Sequence, residues 1–503
     1  MKQISTWIEK RASMSPDRLA LLDLRRRLTY FEMNNEMNRL AYYLRKIEML
    51  QQGDRIGLYF NNRIDYILLL FAIAKIGAVA VPLNTRLTSE ELSYQITDSE
   101  MSMLIYEYEF HITVQTLKNK HPQLTTRSIE SVTLPPLQET YISHDFPIID
   151  ASTPYIICYT SGTTGRPKGA VLTQENMFWN AVNNCTSIDI NSNDSTLVLL
   201  PLFHIGGIGL FAFPTFFAGG AVAILGKFDP KEALNMIEKE QISVIMGVPT
   251  IFDTIRKHND FMTANLSSVR IFCSGGAPCP KELIEFYLHR GLPFYQGYGL
   301  TEASPTVFML AKEDYKRKIG SVGKPVLYTD INIVDENNNP VVVGEIGELA
   351  VKGPNVIKEY WQLPAETNQS IKDGWFYTGD YVKADEDGFI YIIGRKKEMI
   401  ISGGENVYPL EIEQVLKEDP AVDEVSVIGV SDEKWGEVPF AFIVVKDKHV
   451  ITEEQLKQAC LSKLAKYKIP KSFVILSELP KNAAGKVDKK QLKALLTNVS
   501  KGE

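Results

Sequence analysis

The segment Tyr159-Thr-Ser-Gly-Thr-Thr-Gly-Arg-Pro-Lys-Gly169 packs four aliphatic hydroxyls, three glycines and one lysine into eleven residues. It follows the apolar run Tyr155–Cys158 and precedes a helical stretch starting near Thr173. Thr160, Ser161, Thr163 and Thr164 supply hydroxyls. Gly162 and Gly165 let the backbone turn and present its N–H groups, and Lys168 adds a cation. Convergent donors beside positive charge suit phosphate oxygens. The spacing from Gly165 to Lys168 does not fit the G-x-x-x-x-G-K-[ST] pattern, so this is a different phosphate loop. A flexible Ser/Gly/Thr connector is the bland reading, but such a connector has no reason to carry Arg166-Pro-Lys168.

Around the loop, helical periodicity alternates with short β-branched runs. Upstream, the pattern predicts a helix over Leu28–Leu44, opened by Thr29 with Glu32 as its capping-box partner. A strand follows at Arg55–Phe60, a helix at Ile64–Ile76 and a strand at Ala78–Pro82. A helix over Ser89–Asp98 capped by Ser89 and a strand at Met103–Tyr106 complete the run. Downstream, strands are expected at Leu197–Leu200, Ala221–Leu225, Ser243–Val248 and Ile271–Ser274. This rhythm implies parallel sheets with crossover helices. After Gly320 short alternating runs (Asp330–Val334, Gly347–Lys352, Phe389–Ile393) predict antiparallel strands joined by Asn- and Asp-rich turns. Beyond Gly394 a Lys-rich segment carries helical patterns at Pro409–Leu416 and Glu453–Leu464, enough for a small separate domain.

Composition bounds these expectations. The 503 residues allow about three or four domain-sized units. With 45% hydrophobic and 23% charged residues the chain reads as an ordinary globular protein. A net charge of -7 gives no basic excess for nucleic acid. Five cysteines without a C-x-x-C pair predict reduced thiols and neither a disulfide framework nor a zinc ribbon. The N-terminal residues contain no apolar core of a secretory signal, which points to the cytoplasm. Ile205–Leu225 is uncharged and long, but Pro214 and Gly219-Gly220 interrupt it, so a buried helix followed by a strand is expected rather than a membrane span. Arg25–Arg27 leaves open peripheral contact with the inner membrane face, against an ordinary solvated surface. Oligomeric state is not legible.

Thr160–Gly169 closely resembles the signature loop of adenylate-forming (AMP-binding) acyl-CoA synthetases. Further segments occur in that family's order: Ser274-Gly-Gly-Ala-Pro278, Tyr298-Gly-Leu-Thr-Glu302, Gly323-Lys-Pro325, Gly374-Trp-Phe-Tyr-Thr-Gly-Asp380, Gly394-Arg395, Ser402-Gly-Gly-Glu-Asn-Val-Tyr-Pro409 and Asn482-Ala-Ala-Gly-Lys486. The pattern is most similar to bacterial long-chain fatty-acid–CoA ligases. The resemblance implies an α/β fold with a large N-terminal domain, residues 1–394. Within it, residues 1–319 would form two αβ sheet subdomains and 320–394 a small β-barrel subdomain. A hinge at 395–400 and a mobile α+β domain at 401–503 would follow. It also implies a magnesium-dependent ligase in which ATP activates a carboxylic acid as an acyl-adenylate before transfer to CoA.

By the same resemblance the catalytic residues are Lys486, Lys168, Glu302 and Thr301, with Glu302 and Thr160 toward the metal. The nucleotide site adds Ser161, Gly162, Thr163, Thr164, Gly165, Gly275, Gly276, Ala277, Tyr298, Gly299, Asp380 and Arg395. Locally, Asp380 after Thr378-Gly379 reads equally well as a turn aspartate. Lys397 is the implied hinge, and Ser402, Gly403, Gly404 and Glu405 line the implied CoA path. Two poses of the C-terminal domain would bring first Lys486 and then Ser402–Glu405 to one site.

The acyl pocket is implied at His204, Gly207, Ala303 and Val307, with His204 equally readable as a hydrogen-bonded core histidine. Small residues leave room, which makes a medium- to long-chain fatty acid the first choice. Aryl acids of cinnamate-like or succinylbenzoate-like type, and loading of an acyl carrier protein, are the alternatives.

Overall fold

A computed structural model describes residues 3–136, 146–160, 166–447, 449–482 and 485–499. The chain divides into two compact units, Met1–Ile331 with Val351–Phe376, and Asn332–Ala350 with Tyr377–Glu503.

The first unit is built on two sheets. A six-stranded sheet runs in the order Thr125–Ser128, Met103–Tyr106, Arg55–Tyr59, Val79–Pro82, Pro154–Thr160, Lys168–Thr173. All neighbours are parallel except the last pair, an antiparallel hairpin. In the nine-stranded sheet, the strands from Leu19–Leu22 to Phe294–Gly299 are parallel, and antiparallel strands flank both sides. Strands such as Val79–Pro82, Val244–Gly247 and Ile271–Ser274 are buried along their whole length. Continuous apolar runs are what a parallel sheet covered on both faces requires.

The helices begin where side chains can satisfy their first N–H groups. Thr29 and Glu32 form the expected capping box for helix Tyr30–Tyr42. For helix Ser89–Asp98 the cap is Thr88 rather than Ser89: Thr88 is extended, and its hydroxyl accepts from Glu91 N. Ser89 is already helical. Helix Ile64–Ile76 is buried all round except at Asp65, as expected of a helix apolar on every side. Its one internal cation, Lys75, is 4% exposed and is tied to Glu9 Oε1 and Asn38 Oδ1, both at 2.6 Å. Gln174 closes over this helix: its Nε2 donates to Ala74 O (3.0 Å) and its Oε1 accepts from Ile4 N (2.8 Å).

Ile205–Leu225 becomes two short helices, Ile205–Gly209 and Ala212–Ala218, and then strand Ala221–Ile224, with Gly219 turning at φ 88°. Among the described residues no helix is long and apolar enough to cross a membrane.

A five-stranded sheet comprises Asp330–Val334, Ile346–Lys352, Ile371–Lys372, Trp375–Ala384 and Ile390–Arg395. The second unit adds a sheet centred on Gly436–Val445, antiparallel to Val422–Asp432 and parallel to Ser472–Leu476. Helices Pro409–Lys417 and Glu453–Leu461 bury Ile412, Leu416, Leu456 and Cys460 against it.

Candidate active site

The phosphate-type loop joins two antiparallel strands, Pro154–Thr160 and Lys168–Thr173, with Thr160 opposite Lys168. Helix Gln174–Ile188 starts where expected, capped by Thr173, and strand Lys168–Thr173 lies between it and the loop. Ser161, Gly162, Thr163, Thr164 and Gly165 lie outside the described residues. At the hairpin base, the segment around Tyr360 lies along the outer strand. Trp361 N donates to Gly169 O (2.7 Å) and Val171 N to Glu359 O (3.2 Å). A Cβ on Gly169 would sit 2.6 Å from Ile157 and 3.3 Å from Trp361 Cβ, so only glycine admits this close approach.

The same segment meets Glu302, which sits on the single turn Thr301–Ala303 after strand Phe294–Gly299. Ile357 N donates to Glu302 O at 2.8 Å. The Tyr360 hydroxyl donates to Glu302 Oε1 at 2.8 Å, and the Thr160 hydroxyl reaches the same oxygen at 3.4 Å. Lys168 Nζ lies 5.4 Å from the centre of the Tyr360 ring. Burial first, and then the Glu302 charge, push the Tyr360 phenol well above its ordinary value, so it keeps its proton and donates.

Buried asparagines hold this turn from behind. Asn355 Nδ2 donates to Ala303 O and to Thr306 O, each at 2.9 Å, while its Oδ1 accepts from Thr329 (2.9 Å). Asn180 Oδ1 accepts from Thr306 N (3.1 Å), and Asn184 donates to the Thr306 hydroxyl (2.9 Å). Sequence reasoning missed Tyr360, Asn355 and this group. One signal was present: Asn176, Asn180, Asn183 and Asn184 fall at helical spacing on Gln174–Ile188. A buried polar stripe of that kind needs partners.

Glu302 and Thr160 fit a divalent cation by their chemistry. Both offer oxygen, and among the described residues no donor is seated on Glu302 Oε2. Mg²⁺ typically takes one or two protein carboxylates alongside phosphate and water.

The other nucleotide candidates of the first unit gather at the C-terminal ends of the parallel strands, where open α/β sheets place their ligands. Gly275 N donates to Gly247 O (3.2 Å), and Gly276 turns at φ 77°, exposing Ala277. Tyr298 pairs across the strands with Phe308, ring centres 5.6 Å apart. A Cβ on Gly299 would collide with Pro305 O. Thr301 opens the Glu302 turn and is half-buried.

Of the acyl candidates, Gly207 lines a small cavity of ≈ 10 Å³, about the room of one water, with Thr196, Leu200, Gly206, Phe211 and Met246. His204 precedes the short helix, half-buried with its ring against Phe203 (4.7 Å), and is not among the lining residues. Ala303 and Val307 are fully buried on either side of the Ser304–Thr306 segment. The glycines do not simply leave room. A Cβ on Gly207 would collide with Pro201 O, and one on Gly209 would sit 2.7 Å from Ser304 O. Backbone occupies that space.

In the second unit Asp380 lies within strand Trp375–Ala384, not at a turn, with Gly379 at φ 70°. Its buried carboxylate meets Arg395 Nε at 2.7 Å, its cross-strand partner. Lys486 closes a tight loop in which Asn482 N donates to Lys486 O (2.8 Å) and Lys486 N to Asn482 Oδ1 (3.1 Å). Desolvation, then the Arg395 charge, lower its ammonium below the ordinary lysine value, against the pull of Asp380. Lys397 is exposed, and its neighbours are tied on both sides: Lys396 to Glu348 and Glu398 to Lys489, each at 2.7 Å. Gly403 and Gly404, at φ 61° and 86°, turn the hairpin between Ser402 and Glu405. Gly403 N donates to Trp435 O at 2.8 Å.

Comparison with known proteins follows this geometry. Residues 8–361 match the family described as AMP-binding enzyme, and residues 411–486 match the AMP-binding enzyme C-terminal domain. A feruloyl-CoA synthase from Amycolatopsis sp is 40% identical over 491 residues, 97% of this chain and 98% of that one. The o-succinylbenzoate CoA synthetase of Bacillus subtilis, in complex with its acyl-adenylate intermediate, superposes with TM-score 0.89 at 33% identity, covering 97% of each chain. Its complex with ATP and magnesium ion gives 0.85 at 32% identity, over 97% of this chain and 99% of that one. A fatty acyl CoA synthetase from Mycobacterium tuberculosis gives 0.80 at 34% identity, covering 99% of both chains.

Proposed function

The chain belongs to the AMP-binding enzyme family and is an acid–CoA ligase working through an acyl-adenylate with ATP and Mg²⁺; on that premise we propose that its acid is a neutral aryl acid of the cinnamate type. The observation that carries this reading is the 40% identity to a feruloyl-CoA synthase over 97% of this chain. No charged residue lines the small cavity at Leu200, Gly206, Phe211 and Met246, which gives a second carboxylate no partner there. Backbone already fills the space beside Gly207 and Gly209, where a long aliphatic chain was expected to lie. Likeness to a feruloyl-CoA synthase supports the aryl acid over the fatty acid that small residues first suggested.

In the first half-reaction the acid's carboxylate oxygen attacks the α-phosphorus of ATP, the bond to the β-phosphate bridge breaks, and pyrophosphate leaves. Hydroxide is too poor a leaving group for the free acid to acylate a thiol; AMP is a better one. Lys168 and Lys486 hold phosphate and carboxylate oxygens, Thr301 touches the α-phosphate, and Asp380 and Arg395 hold the nucleotide. Such positioning and charge compensation dominate phosphoryl-type transfer. Glu302 and Thr160 would hold the Mg²⁺, whose charge would offset that of the phosphate oxygens. In the second half-reaction the CoA sulfur attacks the acyl carbon and AMP leaves, with Ser402–Glu405 lining the pantetheine path after a turn at Lys397.

ATP- and CoA-dependent turnover over hydroxycinnamates, succinylbenzoate and fatty acids of graded length tests the reading. Hydroxycinnamates are expected to exceed long fatty acids by about 100-fold in kcat/KM. Best turnover on fatty acids longer than about a dozen carbons would overturn it.

A further inference from the structure

We infer that Tyr360 is the positioning residue for the metal carboxylate: it fixes one oxygen of Glu302 so that the other is presented to the divalent cation. The inference rests on the proposed metal role of Glu302. Both hydroxyls that reach Glu302, from Tyr360 (2.8 Å) and Thr160 (3.4 Å), fall on Oε1. A carboxylate satisfied on one oxygen has lost its free rotation and offers the second with a set direction.

The backbone supports this placement. Ile357 N holds Glu302 O, while the same short segment bonds to Gly169 and Val171 on the loop's outer strand. Tyr360 N donates to the Thr367 hydroxyl (3.0 Å), and the residue is 6% exposed. One strap therefore sets the carboxylate relative to the base of the phosphate loop. Lys168, reaching into that loop's stem, rests over the ring that carries the donor. Metal carboxylate and phosphate-side lysine thus share one aromatic support. Outer hydrogen-bond partners of this kind typically change metal affinity 10- to 100-fold when removed.

The test uses the full chain and Mn²⁺ as probe, with a non-hydrolysable ATP analogue at saturation and free Mn²⁺ read by its electron paramagnetic resonance signal. Tyr360→Phe keeps the ring and removes one oxygen. The Mn²⁺ dissociation constant is expected to rise about tenfold, while the analogue's metal-free affinity changes by less than about twofold. Adenylation by this variant recovers as Mn²⁺ is raised, a KM effect without loss of kcat. An unchanged Mn²⁺ constant overturns the inference, and so does equal weakening of the analogue with and without metal. Glu302→Gln runs alongside. If it too leaves Mn²⁺ binding unchanged, the metal role of Glu302 has failed; if it weakens binding and Tyr360→Phe does not, the positioning role alone has failed.

Discussion

Glu302 and Asp380 are the carboxylates proposed for the metal and for the nucleotide, and they are held by opposite means. Glu302 is gripped by neutral donors on a turn braced by buried amides. Asp380 is met by a cation, Arg395, whose side chain is 47% exposed, in a unit where Lys396, Glu398 and Lys489 also pair by charge. Hydrogen bonds from buried neutral donors keep their geometry as salt changes, whereas the exposed Arg395 can leave the buried Asp380 carboxylate only where another donor replaces it. On the proposed roles, a metal carboxylate gains from the first arrangement, and a domain that trades one set of contacts for another gains from the second.

The largest expected effect tests the exchangeable side. Lys486→Ala should lower adenylation about 1000-fold, read by pyrophosphate release, and lower thioester formation from supplied acyl-adenylate by less than about tenfold. Its unfolding midpoint should match that of the parent. Equal loss in both half-reactions breaks the division of labour. On the braced side, Asn355→Ala leaves the Ala303 and Thr306 carbonyls without their donor and should cost roughly 3 kcal/mol in denaturant unfolding, with adenylation falling too. A stable but inactive variant would show that the asparagine acts on chemistry without acting on packing.

A buried charged pair sharpens the contrast. Asp194, 4% exposed, takes Arg270 on both oxygens, at 2.7 and 2.6 Å. Desolvation alone would raise this aspartate, but the Arg270 hydrogen bond and further donors outweigh it and hold the group below 3.8. A depressed folded value stabilises above the unfolded one, and that share is lost as pH falls through the folded value. Asp194→Asn should therefore cost roughly 2 kcal/mol near neutral pH, and the gap from the parent should close below about pH 4. The smallest effect is expected at the hinge. Lys396→Met should leave stability within about 0.5 kcal/mol and shift the ratio of half-reaction rates by less than about fivefold, with the shift disappearing at high salt.

Much of the first unit was legible because its signals are local. The capping box at Thr29 and Glu32 and the bounds of Ile64–Ile76 follow from spacing alone. What was not legible depends on distant chain. Tyr360 lies 58 residues beyond Glu302, in a segment without helical or strand period, and its partner appears only when the strap is laid on the hairpin. The pairing of strand Lys168–Thr173 was not legible, because its partners, Pro154–Thr160 on one side and Tyr360 on the other, are set by the fold. The glycines near His204 were taken as empty space, since nothing local shows that Pro201 and Ser304 fill it. Asp380 resembled a turn residue because Thr378-Gly379 is turn chemistry placed inside a long strand.

The almost wholly buried helix Ile64–Ile76 has a consequence during synthesis. Its buried faces include contacts with helices that precede it, but Gln174, which bonds both Ala74 and Ile4, emerges about a hundred residues later, and Phe213 and Phe216, which pack on Phe71, later still. At about 5–20 residues per second, the ribosome leaves that greasy rod without these partners for roughly 5–30 seconds. A nascent chain stalled between Ile76 and Gln174 is expected to bind a holding chaperone, and one stalled beyond Phe216 to bind it far less. Rare codons between Ile76 and Phe216 would then be felt in aggregation rather than in activity.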